Sequence, residues 1–524
     1  MTVLIPSAGL GSRLKPQTNF FNKTMISIDN LPAISHIINS YDIKTDFIIA
    51  LGYKGKHLKE YLQYYHTKNK FKFIKIQNYS GPGSSLNTTL QRCSKEIKSD
   101  FIFHVNDAII KQKISQNFDN DTLFISNKYS KSNYFRKISI NKKKIDNIYS
   151  KNYKPKKKII YSYIGVAYIK DYISFNKIIN NNNNDLGELN YFKISCSNST
   201  LDYKKISNWY DTGNHHTLND TVRELSKFQN LSKLDESIYF KSNRVIKFYV
   251  SKPLVKKRVI RAKILNKSVP KILSSSKYFY SYNYVKGDVF ANSNPSLYDF
   301  KKLMIFLEKK LWLSTDYKFK KTFKKQCENF YYHKTKLRIK SFYQIYKISD
   351  NENIINGKKY PKLINLISSI DWKIINDGIP VLFHGDLHFE NIIKTKKSFK
   401  LIDWRDSFDK NLKVGDIYYD FAKLYHGLLV KHSFVKNNNF YIFLKNKTIK
   451  IHIKKFKGYE KIIKFFLQYI KKSNYSLYKL NIITALIFLN ISPLHSGRYG
   501  IFLYFLGKKM LGDTINNYKN EKII

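Results

Sequence analysis

Three polar side chains in the last third of the chain are spaced as phosphoryl transfer requires. They lie in His384-Gly385-Asp386-Leu387-His388-Phe389-Glu390-Asn391 and in Leu401-Ile402-Asp403-Trp404. A hydroxyl that attacks the γ-phosphate of ATP must lose its proton, and Mg²⁺ must neutralise the phosphates. Asp386 is the candidate base, with Asn391 and Asp403 as metal ligands. The runs Ile379-Pro380-Val381-Leu382-Phe383 and Phe399-Lys400-Leu401-Ile402 read as short strands that would hold both acids rigidly. The competing reading is a buried aspartate capping a turn, which leaves the rest of the spaced set to coincidence.

A second set opens the chain. Val3-Leu4-Ile5-Pro6-Ser7-Ala8-Gly9-Leu10-Gly11-Ser12-Arg13-Leu14 begins as a buried parallel strand and ends in a glycine turn with an arginine. Backbone amides of Gly9, Gly11 and Ser12 can face phosphate oxygens there while Arg13 neutralises them. Glycine turns after a first strand also occur in dinucleotide folds. Phe101-Ile102-Phe103-His104-Val105-Asn106-Asp107 is an apolar strand that delivers an aspartate at its carboxyl end, where α/β sheets place ligand residues.

These motifs carry two family resemblances. The Gly-x-Gly-x-Arg turn, followed by Asn22-Lys23-Thr24-Met25, resembles the sugar-1-phosphate and phosphocholine nucleotidyltransferases, with Asn22 standing where they carry proline. Asn208-Trp209-Tyr210-Asp211-Thr212-Gly213 is similar to their Trp-x-Asp-x-Gly segment, and Gly81-Pro82-Gly83-Ser84-Ser85-Leu86 to the small-residue loop near the base. The resemblance implies that Arg13 and Lys23 act on the triphosphate, that Gly83 and Ser84 lie by the nucleotide, and that Asp107 and Asp211 share Mg²⁺. It also implies that Tyr163-Ile164-Gly165-Val166-Ala167 lines the acceptor pocket, with Glu188 within reach of it. The His-Gly-Asp loop, Ile-Asp-Trp and Gly415-Asp416-Ile417-Tyr418-Tyr419-Asp420-Phe421-Ala422 resemble the aminoglycoside phosphotransferase and choline kinase family. There Asp416 would brace the catalytic loop as a helix cap, and Lys247, on a hairpin of 237–249, would meet the ATP phosphates. No Asp or Glu occurs from Ser237 through Gly287 to hold that lysine, a departure from the family.

Length and composition fit two domains. At 524 residues and 43% hydrophobic, the chain can fill two cores, and the two motif sets occupy opposite ends. The expected architecture is α/β: a Rossmann-like nucleotidyltransferase domain over 1–230, then a two-lobed kinase-like α+β domain over 231–524. Lys and Arg total 93 against 38 Asp and Glu, a formal charge of +55. The lysines are spread through every segment without a nucleic-acid-binding motif, so a specific nucleic-acid partner is not expected. Cys93, Cys196 and Cys327 form no Cys-x-x-Cys pair, which fits a reducing cytoplasm. The apolar region 482–506, broken by Asn490, Pro493, His495 and Arg498, reads as buried helices rather than a membrane span. Trp404, Tyr418, Tyr419 and Tyr425 read as core or as an aromatic acceptor wall.

The expected function is a bifunctional enzyme that phosphorylates a small alcohol or sugar with ATP. It then couples that phosphate to a second NTP, with CTP favoured, as a precursor for surface polysaccharide or lipooligosaccharide. Two alternatives stand beside it: a nucleotidyltransferase with a non-catalytic kinase fold, and a basic binding protein. Oligomeric state is open.

Overall fold

Val3, Leu4 and Ile5 carry no group that water must solvate, and the strand Thr2–Ser7 places all three fully inside. Burial on both faces is what a central parallel strand requires. The computed structural model describes residues 1–115, 117–141, 144–153, 160–181, 186–197, 201–226, 235–315, 317–431, 439–454 and 456–523. By contact they divide into Met1–Lys252 with Ser274–Ser281, and Pro253–Leu273 with Tyr282–Ile524.

The first unit is α/β, as the alternation of strand and helix patterns implied. One sheet runs in the order Lys144–Tyr149, Lys137–Asn141, Ile160–Ile169, Phe101–His104, Thr2–Ser7, Asp46–Leu51, Lys70–Lys75. Thr2–Ser7 pairs in parallel with Asp46–Leu51 and Phe101–His104, and Asp46–Leu51 with Lys70–Lys75. Ile160–Ile169 returns antiparallel beside Phe101–His104. Because Thr2–Ser7 and Phe101–His104 run the same way, the Gly9–Arg13 turn and Asp107 both leave the sheet at its carboxyl edge.

The boundary expected at 230/231 lies outside the described residues, but the hairpin beyond it requires a correction. Glu236–Lys241 and Arg244–Tyr249 pair antiparallel as read, yet they belong by contact to the first unit. Tyr239, Ile246 and Phe248 join one core with Phe21, Met25 and Tyr61, and the Tyr239 hydroxyl donates to the Met25 carbonyl at 2.8 Å. Burying three large side chains of the hairpin is worth several kcal/mol, on the order of 2 per side chain, enough to outweigh sequence adjacency. Lys247 therefore lies on a strand of the first unit and is buried, 4% exposed.

The second unit is largely helical. Lys320–Glu328 passes through a wider turn at Asn329–His333 into Lys334–Tyr346, and Ile417–Leu429, Leu477–Ile491 and Gly497–Ile523 pack beside it. Segment Leu477–Leu494 is long and apolar enough to cross a membrane by length and composition, and 67% of it is buried inside the protein. Two small antiparallel pairings frame the candidate loop: Pro380–Val381 with Gly415–Asp416, and Ile392–Lys394 with Phe399–Leu401.

Candidate active sites

In the first unit Gly11 sits at φ +65°, and a Cβ there would lie 3.0 Å from both Lys23 Cβ and Thr18 Cγ2. Only glycine lets the turn close over Lys23 without strain. Asn22 then latches the lysine turn to the sheet. Its Nδ2 donates to the Ser7 and Tyr53 carbonyls, each at 2.9 Å, and its Oδ1 accepts from the Thr24 amide and hydroxyl. A proline could hold this backbone angle but could satisfy none of those groups. Asn22→Ala is expected to destabilise the protein by about 2–3 kcal/mol, because buried carbonyls are left without donors. Urea melts measure it, and a change below about 0.5 kcal/mol would contradict the latch.

Lys23 Nζ meets Asp107 Oδ2 at 2.8 Å. Asp211, on Trp209–Asp211, accepts at Oδ2 from the Gly213 amide at 2.9 Å and from the Thr217 hydroxyl at 2.5 Å. Gly213 gauges the gap between the carboxylates. The position a Cβ would take there is 3.0 Å from Asp107 Oδ2 and 3.3 and 3.4 Å from the two Asp211 oxygens. Any side chain would fill the space the two acids share. Burial and the neighbouring Asp107 carboxylate push the Asp211 acid up; burial would raise Asp107 too, but Lys23 and Arg13 outweigh it and hold it down. A divalent cation between them would remove the repulsion, and an all-oxygen donor set suits Mg²⁺.

Two cavities meet at this point. One, of about 420 Å³, is lined by Gly9, Gly11, Ser12, Arg13, Lys23, Ser84 and Asp107; Gly83 is not in its wall and instead accepts from Thr88 to fix the loop. The other, of about 340 Å³, is lined by Arg136, Lys151, Tyr163, Gly165, Glu188 and Asp211, and it shares Arg13 and Asp107 with the first. Glu188 and the Tyr163 hydroxyl are buried side by side there, and each acts on the other's titration. Arg136 and Lys151 carried no motif signal.

Burial pushes Glu188 from its ordinary 4.5 up to about 7. The folded state thus disfavours the carboxylate, so stability is undiminished below about pH 4.5, falls as pH rises to about 7, and is level above. Glu188→Gln removes this loss. It is expected to exceed the wild type by up to about 3 kcal/mol at pH 8 and to match it near pH 4. Paired denaturant melts of the ligand-free protein test this, and a gap that is the same at both pH values would contradict it.

In the second unit the loop is held from outside its own segment. The His384 and Gly385 amides donate to the two oxygens of Asp420 at 2.8 and 2.7 Å. Asp416 caps Ile417–Leu429 as expected and also accepts from the Ile379 amide at 3.0 Å and the Tyr331 hydroxyl at 2.9 Å, but the amides of the loop itself go to Asp420 instead. The two acids lie on one helix about a turn apart, and only the fold decides which meets the loop amides.

Asp386 Oδ1 meets Lys423 Nζ at 2.8 Å. Burial alone would raise its acid, but Lys423 and His388 hold it well below the usual carboxylate range. Asn391 Nδ2 donates to the Asp386 carbonyl at 2.9 Å and to Asp386 Oδ2 at 3.3 Å, which leaves its amide oxygen as the atom for a cation. The Ile402 amide donates to the Asn391 carbonyl at 2.9 Å, so Asp403 emerges beside Asn391 with a left-handed φ of +58°. His384 bonds the Ile402 carbonyl through Nε2 and ties the two segments together.

The helix Lys252–Leu265 carries arginines and no carboxylate. Trp404 Nε1 donates to the Arg258 carbonyl at 2.9 Å, Arg258 donates to the Trp404 carbonyl, and Arg261 donates to the Arg405 and Leu412 carbonyls at 3.2 and 3.1 Å. Trp404, Tyr418, Tyr419 and Tyr425 are all buried, and the Tyr418 hydroxyl accepts from the Ser476 amide, so Trp404 and Tyr418 serve the core. Among the described residues no three His, Cys, Asp or Glu side chains converge as a metal cluster.

No protein-family model matches the chain. Over 141 residues it is 28% identical to the glucose-1-phosphate cytidylyltransferase of Salmonella typhimurium, an alignment covering 23% of this chain and 55% of that protein. The same figures hold for the glucose-1-phosphate cytidylyltransferase of Salmonella typhi. The chain thus spans about half the length of the curated relatives it matches. Among solved structures, the CTP:phosphocholine cytidylyltransferase of Streptococcus pneumoniae is 16% identical, covering 43% of this chain and 98% of that one with a TM-score of 0.35. The similarity to nucleotidyltransferases is carried by the N-terminal part of the chain.

Proposed function

We propose that the first unit is a nucleotidyltransferase that joins a phosphorylated acceptor to an NTP, with CTP favoured, and that the second unit is a phosphotransferase that makes the phosphorylated acceptor from ATP. The observation that carries the first half is the meeting of two cavities at Arg13, Lys23, Asp107 and Asp211. The triphosphate takes the cavity of the glycine turn, and the acceptor phosphate takes the one lined by Arg136, Lys151 and Glu188. An oxygen of the acceptor phosphate attacks the α-phosphorus, the bond to pyrophosphate breaks, and a diphosphate linkage remains. Arg13 and Lys23 neutralise the charge that builds on the departing phosphates. Asp107 and Asp211 would hold Mg²⁺, which supplies further charge neutralisation and orientation when bound. Glu188 and Tyr163, both in the wall of the second cavity, offer acceptor hydroxyls hydrogen bonds.

The phosphotransferase half is supported by the mutual arrangement of Asp386, Asn391 and Asp403. Asp386 receives the hydrogen bond of the attacking hydroxyl and takes its proton as the new O–P bond forms, while the bond to ADP breaks. Held well below the usual carboxylate range, it is an orienting acceptor rather than a proton store. Asn391 and Asp403 would hold Mg²⁺ on the ATP phosphates. The absence of any carboxylate on Lys252–Leu265 favours a second reading, a non-catalytic scaffold.

The halves are tested by supplying NTPs and phosphorylated acceptors with Mg²⁺ and measuring pyrophosphate, then ATP with unphosphorylated acceptors and measuring ADP. Arg13→Ala is expected to slow pyrophosphate release about a hundredfold, roughly 3 kcal/mol of transition-state stabilisation. Unchanged turnover in that variant would remove Arg13 from the site. Use of the product in surface polysaccharide or lipooligosaccharide assembly belongs to the same proposal and is tested by loss of that polymer when the gene is deleted.

A further inference from the structure

Positive charge gathers around Asp386 far beyond what its own pairing needs. Lys423 takes Oδ1 at 2.8 Å, and Arg405 closes over the preceding turn. Gly385 has φ +83°, and a Cβ there would meet Arg405 Cβ at 2.6 Å and Cδ at 3.0 Å, so the arginine lies directly against it. The Arg405 guanidinium stands 4.9 Å from the Phe330 ring centre and 6.0 Å from that of Tyr419. Lys334 Nζ stands over the same two rings at 4.2 and 5.9 Å.

Among the described residues no carboxylate forms an ion pair with Lys334 or Arg405. Burial, with Arg405, Lys423 and Arg338 nearby, depresses the Lys334 ammonium well below its ordinary value, and Asp386 is the opposing charge. His426 adds two buried ring nitrogens without partners, beside Lys423 and His388. Lys334, Arg405 and Lys423 thus share the neighbourhood of one carboxylate that Lys423 already pairs. Lys334 and Arg405 are half-buried, and aromatic faces offset only part of the repulsion between them.

The two oxygens of Asp386 divide the surroundings. Asn391, a proposed metal ligand, approaches Oδ2 at 3.3 Å, and His388 lies at 3.5 Å from the same oxygen. Lys423 takes Oδ1, and Lys423 is among the charges that act on Lys334.

We propose that the alcohol phosphorylated in the second unit carries an acid group of its own, a carboxylate or a phosphate ester, bound by Lys334 and Arg405. This rests on the phosphotransferase reading above and narrows its substrate class. A hydroxyl against Asp386 and an anion between Lys334 and Arg405 satisfy the site together. A quaternary or primary ammonium alcohol meets repulsion from Lys334 and Arg405 instead.

The test is calorimetric binding to the full chain, together with mass-detected phosphorylation, for alcohols matched in size: glycerol, glyceric acid, glycerol phosphate and choline. The acidic members are expected to bind at least tenfold more tightly than glycerol and to be the ones phosphorylated, and choline is expected not to bind. Lys334→Gln and Arg405→Gln should each weaken acidic-acceptor binding at least tenfold, Lys334→Arg should restore much of it, and ATP affinity should be unchanged. Comparable binding of glycerol or choline overturns the inference. So does binding of no member, or a loss of ATP affinity in the variants, which would assign the cations to the nucleotide. Acid binding that depends on Lys334 and Arg405 without any phosphoryl transfer keeps the anion site and instead removes the phosphotransferase reading. The glyceric acid and glycerol phosphate arms separate a carboxylate from a phosphate as the recognised group.

Discussion

Asp386→Asn is expected to lower acceptor phosphorylation by about a thousandfold or more, in the upper range for loss of a general base, while the same protein given pre-phosphorylated acceptor and NTP still forms the diphosphate product at the wild-type rate. The separation follows from the geometry, since Asp386 and Lys423 belong to the second unit and Lys23, Asp107 and Asp211 to the first. Asparagine keeps the size and can still orient a hydroxyl through its carbonyl oxygen, but it cannot take the proton. It also leaves Lys423 facing a neutral group. The thermal unfolding curve is therefore to be recorded alongside. Near-normal ADP release by the variant would remove Asp386 as base. Loss of both activities together would point to misfolding or to a dependence between the units.

Asp107→Ala carries the second large effect in the opposite direction. Pyrophosphate release should fall by at least a hundredfold, as expected for loss of a major electrostatic element, and ATP-dependent phosphorylation should persist. The variant removes one of the two acids that crowd the space beside Gly213 and also frees Lys23 from its 2.8 Å partner. Raising the Mg²⁺ concentration should recover part of the activity, because Asp211 remains as a weaker ligand. Near-normal pyrophosphate release in Asp107→Ala would refute the shared-metal assignment.

What the sequence made legible is the chemistry whose residues lie close together along the chain. Asp386 and Asn391 share one loop, and the strand leading to Asp107 is short and wholly apolar, so residue type and spacing suffice. Asp420 and Lys423 escaped notice as loop partners because they reach the His384-Gly385-Asp386 turn only through packing of the Ile417–Leu429 helix. The motif contained both Asp416 and Asp420, yet which of them meets the amides of His384 and Gly385 depends on where Ile379 enters. Asn22 looked like a departure from a proline pattern, whereas its side chain bonds the carbonyls of Ser7 and Tyr53, one of them far along the chain.

The hairpin shows the limit from another side. Its strands were readable from alternation, but its place was not, because Tyr239 and Phe248 find their apolar partners in the first unit. Lys334 and Arg405 were invisible for a compositional reason. In a chain with 93 Lys and Arg, nothing local marks the two that stand over the same pair of rings.

The central claim, that one chain transfers a phosphoryl group to an alcohol and then couples that same phosphate to a nucleotide, is tested most directly by isotope transfer. The full chain is given an unphosphorylated acidic alcohol, CTP, Mg²⁺ and ATP labelled with ¹⁸O in its γ-phosphate, and the nucleotide product is fragmented in the mass spectrometer. The account predicts that the heavy oxygens appear in the phosphate next to the acceptor, with ADP and pyrophosphate formed in equal amounts. Product whose acceptor phosphate is unlabelled, or product formed from pre-phosphorylated acceptor alone with no ADP released under any condition, would contradict it.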